Sequence, residues 1–174
     1  IEKTQEVYVV IDAARLTARV PGRDSVVSGQ WSAAQAGGPR TTDHGLLTTD
    51  STLERFITAA LMLGLAAEQQ GDLFGVLTFT DKVQRFVRAK NGKAHYSACR
   101  DALYTLQPQL VSPDFDELCT FIRLRLRRRS LLFFLTALDD AQLAESFVRN
   151  VDLIRRQHLV LVNMVQPAGV RPLF

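Results

Sequence analysis

The stretch Glu6-Val-Tyr-Val-Val-Ile-Asp12 constrains this chain more than any other. From Val7 to Ile11 every residue is apolar and most are β-branched. A run this short does not stand alone as a helix. Its composition is that of a strand buried on both faces, in the middle of a mostly parallel sheet covered by helices. The run stops at a carboxylate, Asp12. Ligands of open α/β sheets bind beyond the carboxyl ends of the central strands. Asp12 is therefore the first candidate functional residue, and Ala13-Ala14-Arg15-Leu16 after it decide the chemistry.

The rest of the chain supplies partners for that strand. Thr17 to Asp50 is rich in Gly, Pro, Ser and Thr and contains the lone Trp31. It reads as a long flexible insertion loop, with Trp31 as a candidate exposed anchor. Ser51-Thr-Leu-Glu54 has the spacing of a capping box. Leu53, Phe56, Ile57, Ala60, Leu61 and Gly64 then recur at helical spacing, and Gly64 allows close approach to the sheet. That helix ends near Gly71-Asp72. Phe74 to Phe79 is a second buried strand, and Val83 to Val87 runs back as an antiparallel edge. A helix over Ala94 to Leu106 follows. Another begins at Ser112 to Glu117, with Pro113 suited to its first turn. Leu131 to Leu135 is the next buried strand. Asp139 or Asp140 caps a helix running to Gln157, and Leu159 to Val162 is the last strand. Strands alternating with helices imply an α/β fold: a three-layer αβα sandwich around a mostly parallel sheet with one antiparallel edge strand.

At 174 residues the chain has the length of one domain, and 47% hydrophobic content is enough for a real core. It starts at Ile1 without a methionine, which suggests a domain excised from a longer protein. No apolar run approaches the ~20 residues of a membrane span, and no secretory signal is visible. A membrane connection would have to come through other parts of a parent chain. Cys99 and Cys119 lie inside helical patterns, away from metal-ligand spacing, as reduced core thiols of a cytoplasmic domain do.

Four polar groups follow strands and fall toward one end of the sheet: Asp12, Asp81, Thr136 and the pair Asp139/Asp140. Clustered carboxylates there could hold Mg²⁺. Helix-cap and turn positions account for Asp139, Asp140 and Asp81 without an ion. No glycine-rich phosphate loop follows the first strand, and no nucleophile elbow occurs. His44, His95 and His158 have no partners in sequence that suggest a proton relay, and each is expected to be solvent-facing or locally bonded. Arg123, Arg125, Arg127, Arg128 and Arg129 form the densest charge run. Without interleaved aromatics, and with a net charge of only +3, it does not point to nucleic acid.

Taken together, Val7 to Leu16, the Leu53 to Leu65 helix, Gly71 to Gly75 with Phe79, Ser112 to Leu118 and Arg129 to Thr136 resemble a von Willebrand factor A-type domain. More narrowly, they resemble the bacterial family called domain of unknown function 58. A-type domains commonly carry a metal-ion-dependent adhesion site, patterned Asp-x-Ser-x-Ser, then a Thr, then a later Asp. Here Asp12 matches, but the two serine positions hold Ala14 and Leu16. The Thr region reads Pro113-Asp-Phe-Asp116, and the last Asp position falls near Ala137, close to Asp139. The resemblance implies a degenerate site without a cofactor, with Asp12 and Asp139 as weak candidates for a Mg²⁺ ion. It also implies a non-catalytic interaction domain. Relatives are often encoded beside MoxR-type AAA+ ATPases and linked to assembly or remodelling of other proteins, which makes such an ATPase the expected partner. The expected contact surface is Asp12, Arg15, Trp31 and Asp139. The alternative is a metal-dependent phosphoesterase using Asp12, Asp139 and Asp140.

Overall fold

The computed structural model describes residues 4–18, 51–138 and 140–164. Trp31, Asp139 and most of the 17–50 segment lie outside the described residues. Among the described residues, five strands form one sheet in the order β3-β2-β1-β4-β5. The central strand is β1 (Glu6–Asp12), flanked in parallel by β2 (Leu73–Phe79) and β4 (Leu131–Thr136). β5 (Leu159–Met164) continues the parallel set beside β4, and β3 (Val83–Lys90) closes the other edge antiparallel to β2. The mostly parallel sheet with one antiparallel edge is the architecture the alternating pattern predicts.

Because side chains alternate along a strand, β1 feeds two cores. Tyr8 and Val10 point to one face, and Val9 and Ile11 to the other. Helices α1 (Thr52–Gln70) and α2 (Lys93–Tyr104) cover the Val9 face through Leu53, Phe56, Ala60, Cys99 and Leu103. Helices α3 (Phe115–Arg125) and α4 (Ala141–Ile154) cover the Tyr8 face through Phe115, Leu118, Ile122, Phe147 and Ile154. Phe115 and Phe134 each meet Phe147 edge-on, at ring centroid separations of 5.0 and 5.5 Å. Such pairs add about 1 kcal/mol each beyond the area they bury.

The helix ends follow local chemistry. Ser51 and Glu54 form the reciprocal capping box of α1, and Gly71 ends the helix at φ +76°, a conformation glycine adopts freely. Asp140 caps α4 by accepting from the Gln142 amide at 2.8 Å. The start of α3 differs from expectation. Pro113 precedes the cap, and Asp114 is the capping residue, accepting from the amides of Asp116 and Glu117. Its carboxylate satisfies two free donors, which a proline cannot do. Among the described residues no helix is long and apolar enough to cross a membrane. Cys99 and Cys119 are free and buried as expected, and burial pushes their thiols up to about 11 and about 12.

Two close approaches hold the layers together. Gly64 of α1 lies against the Phe74 ring, where an added Cβ would sit 2.7 Å from Cε1. Gly75 is opposite Tyr8 in the β1–β2 register, and the Tyr8 ring crosses over it to reach β3. There the Tyr8 hydroxyl accepts from the Ala89 amide at 3.1 Å. A Cβ at position 75 would meet Tyr8 Cε1 at 2.6 Å and the Val87 carbonyl oxygen at 2.8 Å. Gly75→Ala is therefore expected to lower the unfolding free energy by about 2–3 kcal/mol, because backbone cannot yield as a side chain can. Gly64→Ala meets only ring atoms and gains about 1 kcal/mol of helix propensity, so its net cost is smaller. Urea melts of the two variants give the order directly, and equal losses would contradict it.

Candidate functional site

The site is built at the carboxyl end of β1. Asp12 is the last residue of the strand and is 0% exposed. Beyond it the Ala13 amide donates to Phe79 O at 2.9 Å, keeping the chain on the end of β2. The chain then turns back sharply, and the Ala14 amide donates to Asp12 Oδ1 at 2.8 Å. The Thr136 hydroxyl, at the end of β4, donates to Asp12 Oδ2 at 2.8 Å. Thus Asp12 and Thr136, 124 residues apart, are brought together. Burial raises the Asp12 carboxyl from 3.8 to about 6, against the opposing pull of the Ala14 amide, the Thr136 hydroxyl and the Ala137 amide.

A loop from α2 to α3 lies over this end. The Gln109 amide donates to Ala13 O at 2.8 Å, the Arg15 amide to Val111 O at 3.1 Å, and the Asp114 amide to Thr80 O at 3.0 Å. Residues Arg15–Ala18 form a 3-10 turn in which the Thr17 hydroxyl donates to Ala14 O at 2.7 Å. The buried Thr80 hydroxyl donates to Asp81 Oδ1 and accepts from the Gln84 side-chain amide, both at 2.9 Å. The result is a fixed platform. Leu110 stands on it 86% exposed, and the Arg15 side chain is exposed beside the same loop.

This geometry sorts the candidates from the sequence. Asp12 does not belong to a contact surface: it is enclosed and braces the turn from within. Arg15 is on the surface as expected. Asp81 is exposed and receives the Thr80 hydroxyl, and Asp140 is occupied as the cap of α4. Trp31 and Asp139 lie outside the described residues. His95 Nε2 lies 2.8 Å from Phe74 O. His158 is neither solvent-facing nor locally bonded. It is 2% exposed, and its Nδ1 accepts from the Ser130 amide across 28 residues. Burial lowers its pKa, which keeps the ring neutral. His95 Nε2 also meets the buried Cys99 Sγ at 3.4 Å, a thiol that burial holds in its protonated form, and His44 lies outside the described residues.

The residues that sequence reasoning missed are Thr80, Gln109 and Leu110. One signal was present: Pro108 and Pro113 bracket a short stretch carrying the apolar pair Leu110-Val111. An apolar pair between two prolines, outside any periodic segment, is unusual for a solvated loop.

A-type sandwiches imply a divalent cation at the Asp12 end. The described residues at that end do not fit one. Both Asp12 oxygens already accept from donors within the chain, and positions 14 and 16 carry no hydroxyl. A hard cation of this kind needs several oxygen ligands around an open space. Among the described residues, no three His, Cys, Asp or Glu side chains gather into a metal-binding group.

Keeping a carboxyl group here has a measurable consequence. Between its unfolded value and about 6, the folded chain retains the Asp12 proton while the unfolded chain loses it. Stability from this group is full below the unfolded value and falls as pH rises through that window, by up to about 3 kcal/mol, then stays level. The Asp12→Asn variant lacks this titration. Urea melts from pH 4 to 7 should show the native chain losing roughly that amount relative to the variant. Parallel stability profiles would contradict it.

Residues 41–171 match the family model described as "Protein of unknown function DUF58". No curated protein matches the sequence. Among solved structures, the SpRpn10 VWA domain superposes with a TM-score of 0.54 at 8% identity, over 96% of this chain and 78% of that one. Proximal thread matrix protein 1 (PTMP1) from the mussel byssus, with a zinc-occupied MIDAS motif, gives 0.48 at 10% identity, over 92% of this chain and 35% of that one. At such low identity the Rpn10 likeness shows a common fold, the vWA-like α/β sandwich. With three quarters of its length matched by the family model and this sandwich as its architecture, the chain belongs to the DUF58 family.

Proposed function

We propose that this chain is a protein-interaction domain that performs no reaction of its own. Its contact surface is the loop platform over β1 and β2, built on a degenerate adhesion site. The observation that carries this reading is the pairing of an enclosed Asp12 with an exposed Leu110. The carboxylate that could have done chemistry is consumed as an internal brace. The exposed apolar side chain stands on a loop tied by backbone hydrogen bonds to Ala13, Arg15 and Thr80. An apolar anchor on a preorganised platform with a cation beside it is what a protein interface uses.

The partner we propose is a MoxR-type AAA+ ATPase, in the assembly or remodelling of other proteins. Support for it is the DUF58 membership together with the gene neighbourhoods that the family resemblance implies. Binding of the chain to such an ATPase, loaded with nucleotide, is the test. Leu110→Asp and Arg15→Glu are each expected to weaken it about tenfold, the loss of a central anchor or of a paired charge. Arg100→Glu, a half-exposed position on α2 away from the platform, should leave it intact. Undiminished binding by both platform variants, or no binding in any nucleotide state, would rule the reading out.

A further inference from the structure

The opposite end of the sheet carries a second feature that neither the fold nor the platform explains. A cavity of about 530 Å³ opens where β1 begins, lined by Arg88, Arg125, Arg127 and Arg128 together with Leu124 and Glu6. A second cavity of about 570 Å³ shares Glu6 and Arg128 with it and adds Arg129, Leu73 and Leu159. Glu6 is the carboxylate among these lining residues, and it pairs with Arg128 at 3.8 Å. Arg128 is nevertheless 82% exposed.

The helix dipole accounts for part of this charge. Arg123 and Arg125 sit in the last turn of α3, where cations are favoured. Arg127, Arg128 and Arg129 lie beyond the Leu126 cap, outside the reach of that turn. Arg88 comes from β3, a different element altogether. β3 runs antiparallel to β2, pairing Lys90 with Phe74, and this brings its carboxyl-terminal end to the amino-terminal end of the parallel strands. Tertiary structure therefore gathers guanidinium groups that repel one another unless an anion sits among them.

We propose that this double cavity binds an acidic peptide segment of a partner protein, one that alternates carboxylates with apolar side chains. Guanidinium forks match carboxylates. The apolar requirement comes from Leu124, 70% exposed, in the first cavity and Leu159, 49% exposed, in the second. An inorganic anion would leave both uncovered. A single-stranded nucleic acid would need free rings to stack on. Phe86, which also lines the first cavity, is already stacked on Tyr8 at 6.0 Å and edge-on to Phe121 at 5.3 Å. Arg125 covers Phe121 at 5.6 Å. Two neighbouring cavities that share Glu6 and Arg128 in their walls suit an extended chain lying across both.

The test is fluorescence anisotropy of the full chain with a labelled peptide of alternating glutamate and leucine. Saturable binding that weakens with salt is expected, lowered at least about tenfold in the Arg88→Glu/Arg127→Glu double variant. Arg123→Glu, in the same arginine run but outside both cavities, should bind as the native chain does. Polyglutamate without leucine should bind more weakly. The proposal is overturned if the double variant binds normally, if Arg123→Glu is equally impaired, or if tripolyphosphate or single-stranded DNA displaces the peptide more effectively than polyglutamate of equal charge. Circular dichroism melts of each variant establish that it is folded. This site is distinct from the Leu110 platform, so loss of binding at either end leaves the other reading standing.

Discussion

β1 is hydrogen-bonded on both edges, to β2 and to β4, and covered on both faces by helices. Each of Val9, Val10 and Ile11 is fully buried, contributing about 2 kcal/mol apiece to folding. More important is the geometry they impose. A strand enclosed on every side cannot slip by one residue without reversing both of its faces. Its register is therefore fixed, and so is the position of whatever follows it. Asp12, the 3-10 turn and the loop carrying Leu110 are placed by that register.

The enclosed carboxyl at the end of β1 is a local expense within this stable frame. A buried acid whose charged form is disfavoured stabilises the fold less at neutral pH than a neutral isostere would. It remains tolerable because Ala14, Thr136 and Ala137 satisfy it from three sides. What the carboxylate contributes is order. It joins the turn after β1 to the end of β4, and the α2–α3 loop rests on that turn. A hard cation would need further oxygen ligands beside this carboxylate, and positions 14 and 16 carry no hydroxyl to supply them.

The molecule is polarised along its strands. At the carboxyl end there is a hydrogen-bonded platform with an apolar crest beside the exposed Arg15. At the amino end there is a guanidinium-rich double cavity with exposed leucines. The two surfaces proposed above differ in chemistry and lie at opposite ends of one sheet, an arrangement that would suit a module bridging components. The five-strand core supplies the stiffness that lets both be presented at once.

Much of the fold was legible in the chain. Short β-branched runs announced the strands, helical periodicity announced α1 to α4, the capping box at Ser51 marked the start of α1, and Gly71-Asp72 marked the neighbourhood of its end. These signals are local, and the solvent and the backbone read them locally. The candidate site was legible only in part. Asp12 and Thr136 stood out as polar residues at strand ends, but whether Asp12 faced outward or inward depended on what covered it. Thr80 and Gln109 looked like ordinary loop residues, and the apolar Leu110-Val111 pair had no evident role, until the loop was laid across β1. Arg88 looked unrelated to the arginine run of residues 123–129 until antiparallel pairing carried it there. Composition and periodicity determined which segments are strands and helices and which faces they bury, because the spacing of apolar residues over a few positions selects the face that must leave water. Tertiary structure alone decided the burial of the Asp12 carboxyl, the platform over it and the convergence of the arginines, because each joins groups that only a packed sheet brings within a few ångströms.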